Sequence, residues 1–263
     1  MTKATAFVKI LNSTLGVRFL RSKRGIMPRY KIADVVFDAE IRYNYTAKLC
    51  QNYLYDGDEK VEFIAKVTED DVAYERSLAP EFPDAYLESL ALFRKLCDYT
   101  LNNSDGIIFH CSAVMVDGEA YVFTAPSGTG KSTHTRLWRE MLGDKAVMIN
   151  DDKPIVRYID GEFYVYGTPW NGKHHLDTNT RARLKAICAI RQAKDNVIER
   201  ASTQEMLITI MNQTIRPTDV TQMDKLLFLI DKMLKQVDLY KLGCNISREA
   251  AETSYNAMVK GKL

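Results

Sequence analysis

The chain has 263 residues, enough for one large or two modest domains, and its 46% apolar and 27% charged side chains are those of an ordinary globular protein. A formal net charge of +2 excludes the strongly basic footprint of a nucleic-acid or anionic-membrane binder. No apolar run approaches the roughly 20 residues of a membrane span, and residues 1–5 lack the pattern of a secretory leader, so a cytoplasmic protein is expected.

In chain order, the basic run at 18–24 (Arg18, Arg21, Lys23, Arg24) reads as a solvated loop. Residues 34–46 alternate, with Val35, Phe37, Ala39, Ile41, Tyr43 and Tyr45 on one face, which predicts a half-buried antiparallel strand. The turn Asp56-Gly57-Asp58 leads into a second alternating run (Val61, Phe63, Ala65, Val67), so a hairpin or meander is expected. After Pro80 and Pro83 a helix is predicted over 84–103, with a stripe of Leu87, Leu90, Leu92, Phe93 and Leu96 and Asp84 as its N-cap. Strands follow at 106–110, 113–116 and 120–124, the last two joined by an Asp117-Gly118 hairpin turn. A helix from Thr133 to about Leu142 precedes a buried strand at 146–149 that ends in Asn150-Asp151-Asp152. Further strands are predicted at 155–158, 163–166 and 187–190, and residues 203–260 read as mostly helical with a break near Arg216-Pro217. The expected fold is α/β: a mixed-sheet nucleotide-binding core at 105–263 preceded by a smaller α+β segment at 1–104.

Between strand and helix stands Ala125-Pro126-Ser127-Gly128-Thr129-Gly130-Lys131-Ser132-Thr133. That context and composition suit a phosphate-binding loop. Its backbone N–H groups must point inward at phosphate oxygens, and Gly128 and Gly130 let the chain curl tightly enough. Lys131 brings a point charge to the β- and γ-phosphates, Ser132 can ligate Mg²⁺, and the start of the helix adds its positive field. Ser127, Thr129 and Thr133 complete the nucleotide-binding set, and Ala125 replaces the usual first glycine. A triphosphate site also needs a carboxylate at the end of a neighbouring strand. Asp151-Asp152 offers two, and adjacent residues there face different ways, one toward metal and one toward an acceptor hydroxyl.

Together the stretch from Phe109 through His110, Cys111 and Ser112 to Val114, the Asp117-Gly118 turn, the loop 127–133 and Asp151-Asp152 resemble the catalytic domain of HPr kinase/phosphorylase. The loop is also similar to that of ATP-dependent phosphoenolpyruvate carboxykinase. The resemblance covers about residues 105–192, and more loosely Leu242-Gly243-Cys244 to Met258. It implies ATP and Mg²⁺ as cofactors, transfer of a γ-phosphoryl group, Asp151 as general base, Asp152 with Ser132 at the metal, and His110 as an auxiliary active-site residue. The additional metal ligands of carboxykinases are not found. The kinase's Arg- and Gly-rich stretch is replaced by Tyr166-Gly167-Thr168-Pro169-Trp170-Asn171-Gly172-Lys173-His174-His175, and residues 1–104 show no match.

That loop is the acceptor-site candidate, with Trp170 offering an apolar face and Lys173 and His174 offering charge and proton exchange. A metal pair of His174 and His175 is disfavoured, since adjacent residues rarely ligate one ion. Arg181 and Arg183 lie just ahead of the strand at 186–190, and one of them, with Arg183 the choice, is the candidate cationic stabiliser of the transferring group, with helix-surface charge as the alternative. His134 and Trp138, a helical turn apart, are expected to pack or to line the nucleotide cleft. The five cysteines are scattered and odd in number, which predicts reduced, mostly buried thiols, Cys111 included. The expected activity is transfer from ATP to a hydroxyl of a small molecule or of a peptide or protein serine. A non-catalytic nucleotide-binding module and a carboxykinase-like enzyme are the alternatives. No nucleic-acid or membrane partner is expected, and pairing into a homo-oligomer stays open.

Overall fold

A computed structural model describes residues 27–263. The basic run at 18–24 and residues 1–5 lie outside them. The described residues form two sheets flanked by helices, a mixed α/β fold with a smaller N-terminal sheet.

Strand β6 (Glu119–Thr124) shows how the larger part is built. Five of its six residues are buried, as an apolar run sandwiched on both faces requires. Ala120 and Val122 face one core, with Met206 and Ile210 of α5 (Thr203–Asn212) and Leu229 and Met233 of α6 (Val220–Gln236). Tyr121 and Phe123 face the other, with Trp138 of α4 (Lys131–Leu142) and Ala251, Ala257 and Met258 of α7 (Arg248–Met258). Strand alternation thus sorts one segment into two cores, and each fully buried large side chain contributes about 1.5–3 kcal/mol.

The large sheet runs β4 (Gly106–Ile108), β8 (Ile155–Ile159), β9 (Glu162–Tyr166), β10 (Arg181–Gln192), β6, β5 (Ser112–Val116), β7 (Ala146–Asn150). Strand β12 (Asp238–Cys244) lies parallel to β10 and carries β11 (Val197–Arg200) on its other side. Strands β6 and β10 are parallel, and β5 runs antiparallel to both β6 and β7. The C-terminal ends of β6, β7, β10 and β12 and the start of β5 therefore share one end of the sheet.

The smaller sheet holds β1 (Arg29–Ile32), β2 (Val35–Glu40) and β3 (Phe63–Lys66). It packs with α3 (Asp84–Asn103), and Ile108, Ile155, Tyr166 and Trp170 of the larger part share that core.

Several expectations need correction. The strand predicted over 34–46 stops at Glu40, and α1 (Asn44–Leu49) follows. A distant group causes this: the buried Glu88 carboxylate accepts from Arg42 N at 2.9 Å, Tyr43 N at 3.2 Å and Thr46 Oγ1 at 2.6 Å. It satisfies donors at the helix start that sequence alone leaves open. No hairpin joins β2 to β3, because they are parallel and α1 crosses between them. Helix α2 (Glu69–Leu78) stands where no element was expected, opened by a Thr68–Asp71 capping box. The N-cap of α3 is Pro83, and Asp84 instead pairs with Arg76 at 2.6 Å. Strand β12 interrupts the tail expected to be helical, since its burial on β10 is set by residues about fifty positions earlier.

Candidate active site

Strand β6 ends at Thr124, and the loop that follows turns into α4 at Lys131, two residues earlier than predicted. Gly128 has φ +80° and Gly130, the N-cap, φ +121°. A Cβ would meet nothing within 4 Å at either position, so backbone conformation rather than crowding asks for glycine. Gln192 at the end of β10 donates to Thr129 O at 3.3 Å and ties the loop to the next strand. Lys131 is buried, and its Nζ donates to Ala125 O at 2.8 Å. Burial lowers its pKa from the ordinary value, opposed by the charges of Asp152 and Asp151 nearby.

The acids stand at the end of β7, two strands away across β5. At about 4.8 Å per strand that is roughly 10 Å. Asn150 makes the turn there: its Oδ1 accepts from Asp152 N at 2.8 Å and Lys153 N at 2.7 Å, while its Nδ2 is held by Thr168 O at 2.8 Å. The two carboxylates consequently face different ways, as expected. Asp151, 6% exposed, accepts from Ser112 Oγ at 2.6 Å, and Ser112 meets Thr135 of α4 at 2.8 Å. Asp152 pairs with His110 Nε2 at 3.0 Å and with Lys153 Nζ. Burial raises the Asp152 pKa, but the hydrogen bond from His110 and the charge of Lys153 outweigh it and hold the carboxyl at about 2. His110 is fixed by its backbone, with N donating to Gln213 O at 2.7 Å and O accepting from Thr124 Oγ1 at 3.4 Å. The structure therefore brings the loop, His110, Asp151 and Asp152 to one place.

Two cavities open beside this centre. The larger, about 470 Å³, is bordered by Asp152, Lys153, Trp170, Lys173 and His175. The smaller, about 390 Å³, adjoins Gly128, Gly130 and Thr133 and is closed by Arg191, Asn245 and Ile246. Sequence reasoning missed Ser112, Thr135, Asn150 and Lys153, of which only the turn-forming Asn150 carried a readable signal. Trp170 is largely a core residue: its Nε1 donates to Ser89 O at 3.0 Å, and its ring lies 4.6 Å from Phe93. His174 is exposed and stands outside the larger cavity, which His175 borders instead.

Arg183 does not join the site. The strand expected near 187 begins at Arg181, so Arg183 pairs across from Glu119 at the opposite end of β6. Six residues separate it from Ala189, the partner of Thr124, which is roughly 20 Å. There it binds Glu119 and Glu162 at the surface. His134 and Trp138 pack, both bonded to Ser254 Oγ at 2.8 Å. Cys111 is buried and its thiol pKa is pushed well up by that burial, so it packs rather than reacts.

Among the described residues no cluster of three His, Cys, Asp or Glu side chains could hold a metal unaided. A nucleotide-borne Mg²⁺ asks for less, one or two protein ligands beside phosphate oxygens, and Ser132 with one carboxylate fits that donor set. No described helix is long and apolar enough to cross a membrane.

No protein-family model and no curated protein matches the chain. Among solved structures, the HPr(Ser) kinase/phosphatase from Coxiella burnetii matches 59% of this chain and 97% of its own, at 8% identity and a TM-score of 0.33. The likeness is distant, and the chemistry of the site is defined by its own residues.

Proposed function

We propose that the chain is an ATP- and Mg²⁺-dependent phosphotransferase that moves a γ-phosphoryl group to an acceptor hydroxyl. One observation carries the reading: the glycine-rich turn and Lys131 share a sheet end with two differently anchored carboxylates, Asp151 and Asp152. A module that only binds nucleotide needs the first feature and has no use for the second. When bound, the nucleotide supplies the phosphoryl group and Mg²⁺ neutralises its oxygens. The backbone N–H groups of 127–132 and Lys131 would hold the phosphates, and Ser132 the cation.

We assign the acceptor hydroxyl to Asp152, because it borders the larger cavity and is kept ionised beside His110. Asp151, tied through Ser112 to the first turns of α4, suits the metal side with Ser132. This exchanges the two roles expected from the resemblance. A low pKa is no handicap to Asp152, since loose phosphoryl transfer depends more on orienting the hydroxyl than on the strength of the base.

Asp152→Asn should lower kcat about 10²–10⁴-fold while ATP affinity in titration calorimetry stays within about threefold. Lys131→Ala should lose ATP binding itself. Abolition by Asp151→Asn with Asp152→Asn unaffected would restore the original roles. Unchanged label transfer in both would refute the reading.

A further inference from the structure

None of the described residues before 105 borders the cavity at the glycine-rich loop, yet they build half of the larger cavity. Tyr45 and Leu49 come from α1, and Phe82, Tyr86 and Leu90 from the entry and first turns of α3. Their rings form one surface: Phe82 and Tyr86 are 4.6 Å apart, and Tyr45 and Tyr86 5.9 Å. Apart from Glu81, the charged groups at the cavity come from the later part of the chain, at Asp152, Lys153 and Lys173. Lys153 is neutralised by its pairing with Asp152, which leaves Lys173 as the cation available to a ligand.

The wall is pre-formed. Glu88 fixes the start of α1 through three hydrogen bonds, and Trp170 is pinned to Ser89 and Phe93. Asp177 ties the loop to the N-terminal segment, accepting from Tyr53 Oη at 2.7 Å and from Asn171 Nδ2. Rigid walls lower the ordering cost of binding and discriminate by shape.

We propose that the acceptor is a small hydroxyl compound with an aromatic or branched aliphatic body and an acidic group, and that the N-terminal segment is its recognition element. The inference rests on the phosphotransfer reading. Such a compound lays its apolar body on Tyr45, Phe82, Tyr86 and Leu90, turns its hydroxyl to Asp152 and its anionic group to Lys173. A cavity of about 470 Å³ matches a small molecule, whereas a serine on a convex protein surface cannot reach into it and cover the aromatic wall. In the transfer itself the hydroxyl oxygen bonds to the γ-phosphorus, the bond from that phosphorus to the bridging oxygen of ADP breaks, and the hydroxyl proton passes to Asp152.

Two measurements test this, one of them independent of turnover. The first is binding of 1-anilinonaphthalene-8-sulfonate, an aromatic anion, to the full chain. One site is expected, weakened at least about tenfold by Tyr86→Ser and, separately, by Leu90→Gln, and unaltered by Ile208→Ser on the exposed face of α5. Tyr86 and Leu90 are half-buried, so both variants should fold. Affinity unchanged in both overturns the site. The second is transfer from γ-labelled ATP into cell extract split into protein, apolar small-molecule and polar small-molecule fractions. Label in the apolar fraction, with KM raised by Tyr86→Ser at constant ATP affinity, supports the proposal. Label in the protein or polar fraction overturns the acceptor class. A bound probe with no label in any fraction refutes the phosphotransfer reading and, with it, the role of this cavity as an acceptor site.

Discussion

Replacing Ser254 by alanine tests whether a single hydroxyl holds the phosphate-loop helix onto α7. Ser254 Oγ lies 2.8 Å from Trp138 Nε1 and 2.8 Å from His134 Nε2, and 3.1 Å from Ala251 O. Trp138 Nε1–H donates to the hydroxyl, and the hydroxyl and His134 Nε2 bond to one another, with the donor set by the imidazole tautomer. All three side chains are buried. Alanine leaves Trp138 Nε1 and His134 Nε2 without partners, at about 1–3 kcal/mol each, so Ser254→Ala should cost about 2–6 kcal/mol. Against a total stability of about 5–15 kcal/mol, that is a large fraction. Urea unfolding followed by far-ultraviolet circular dichroism measures it. Trp138→Phe should cost less in the Ser254→Ala background than in the wild type, because one orphaned donor is then removed; a coupling of about 1 kcal/mol or more is expected. A cost below about 0.5 kcal/mol, or an additive cycle, refutes the reasoning.

The same triad predicts a pH dependence. Burial lowers the His134 pKa to about 4 from its ordinary 6.5, so the unfolded chain takes up a proton that the folded chain refuses. Stability should therefore fall as pH drops from 6.5 to 4, by about 3 kcal/mol at about 1.4 kcal/mol per pH unit, and urea midpoints for His134→Gln should lose that slope. Gly167→Ala should unfold or mis-seat the loop at 167–175, because a Cβ there runs into the backbone oxygen of Thr178; normal thermal stability in the variant would contradict it. Arg183→Ala should leave label transfer within about twofold of wild type and cost at most about 1 kcal/mol, the value of exposed ion pairs. Ala125→Gly should destabilise by about 1–2 kcal/mol, from a lost buried methyl and added backbone freedom, with ATP affinity unchanged in calorimetry.

What the sequence made legible were features whose cause is local. The loop glycines, the apolar run of β6 and the Asp117-Gly118 turn each carry their own conformational reason, and the structure has Asp117 at φ 51° and Gly118 at φ 80°. What it hid depends on groups far away in the chain. The end of β2 is decided by Glu88, the tail strand by β10, and the position of Arg183 by how far β10 extends toward its start. The acids show both cases at once. That Asp151 and Asp152 face apart follows from adjacency on a strand end, but which of them meets the larger cavity depends on Ser112 and His110, contributed by β5 and its approach. Ala125 likewise departs from the usual pattern without consequence, and the reason is local. It is not among the positive-φ residues, and its methyl is buried in the core that holds Phe123 and Trp138. Glycine is demanded at Gly128 and Gly130, where the chain turns left-handed, and an alanine at the mouth of the strand satisfies the rest.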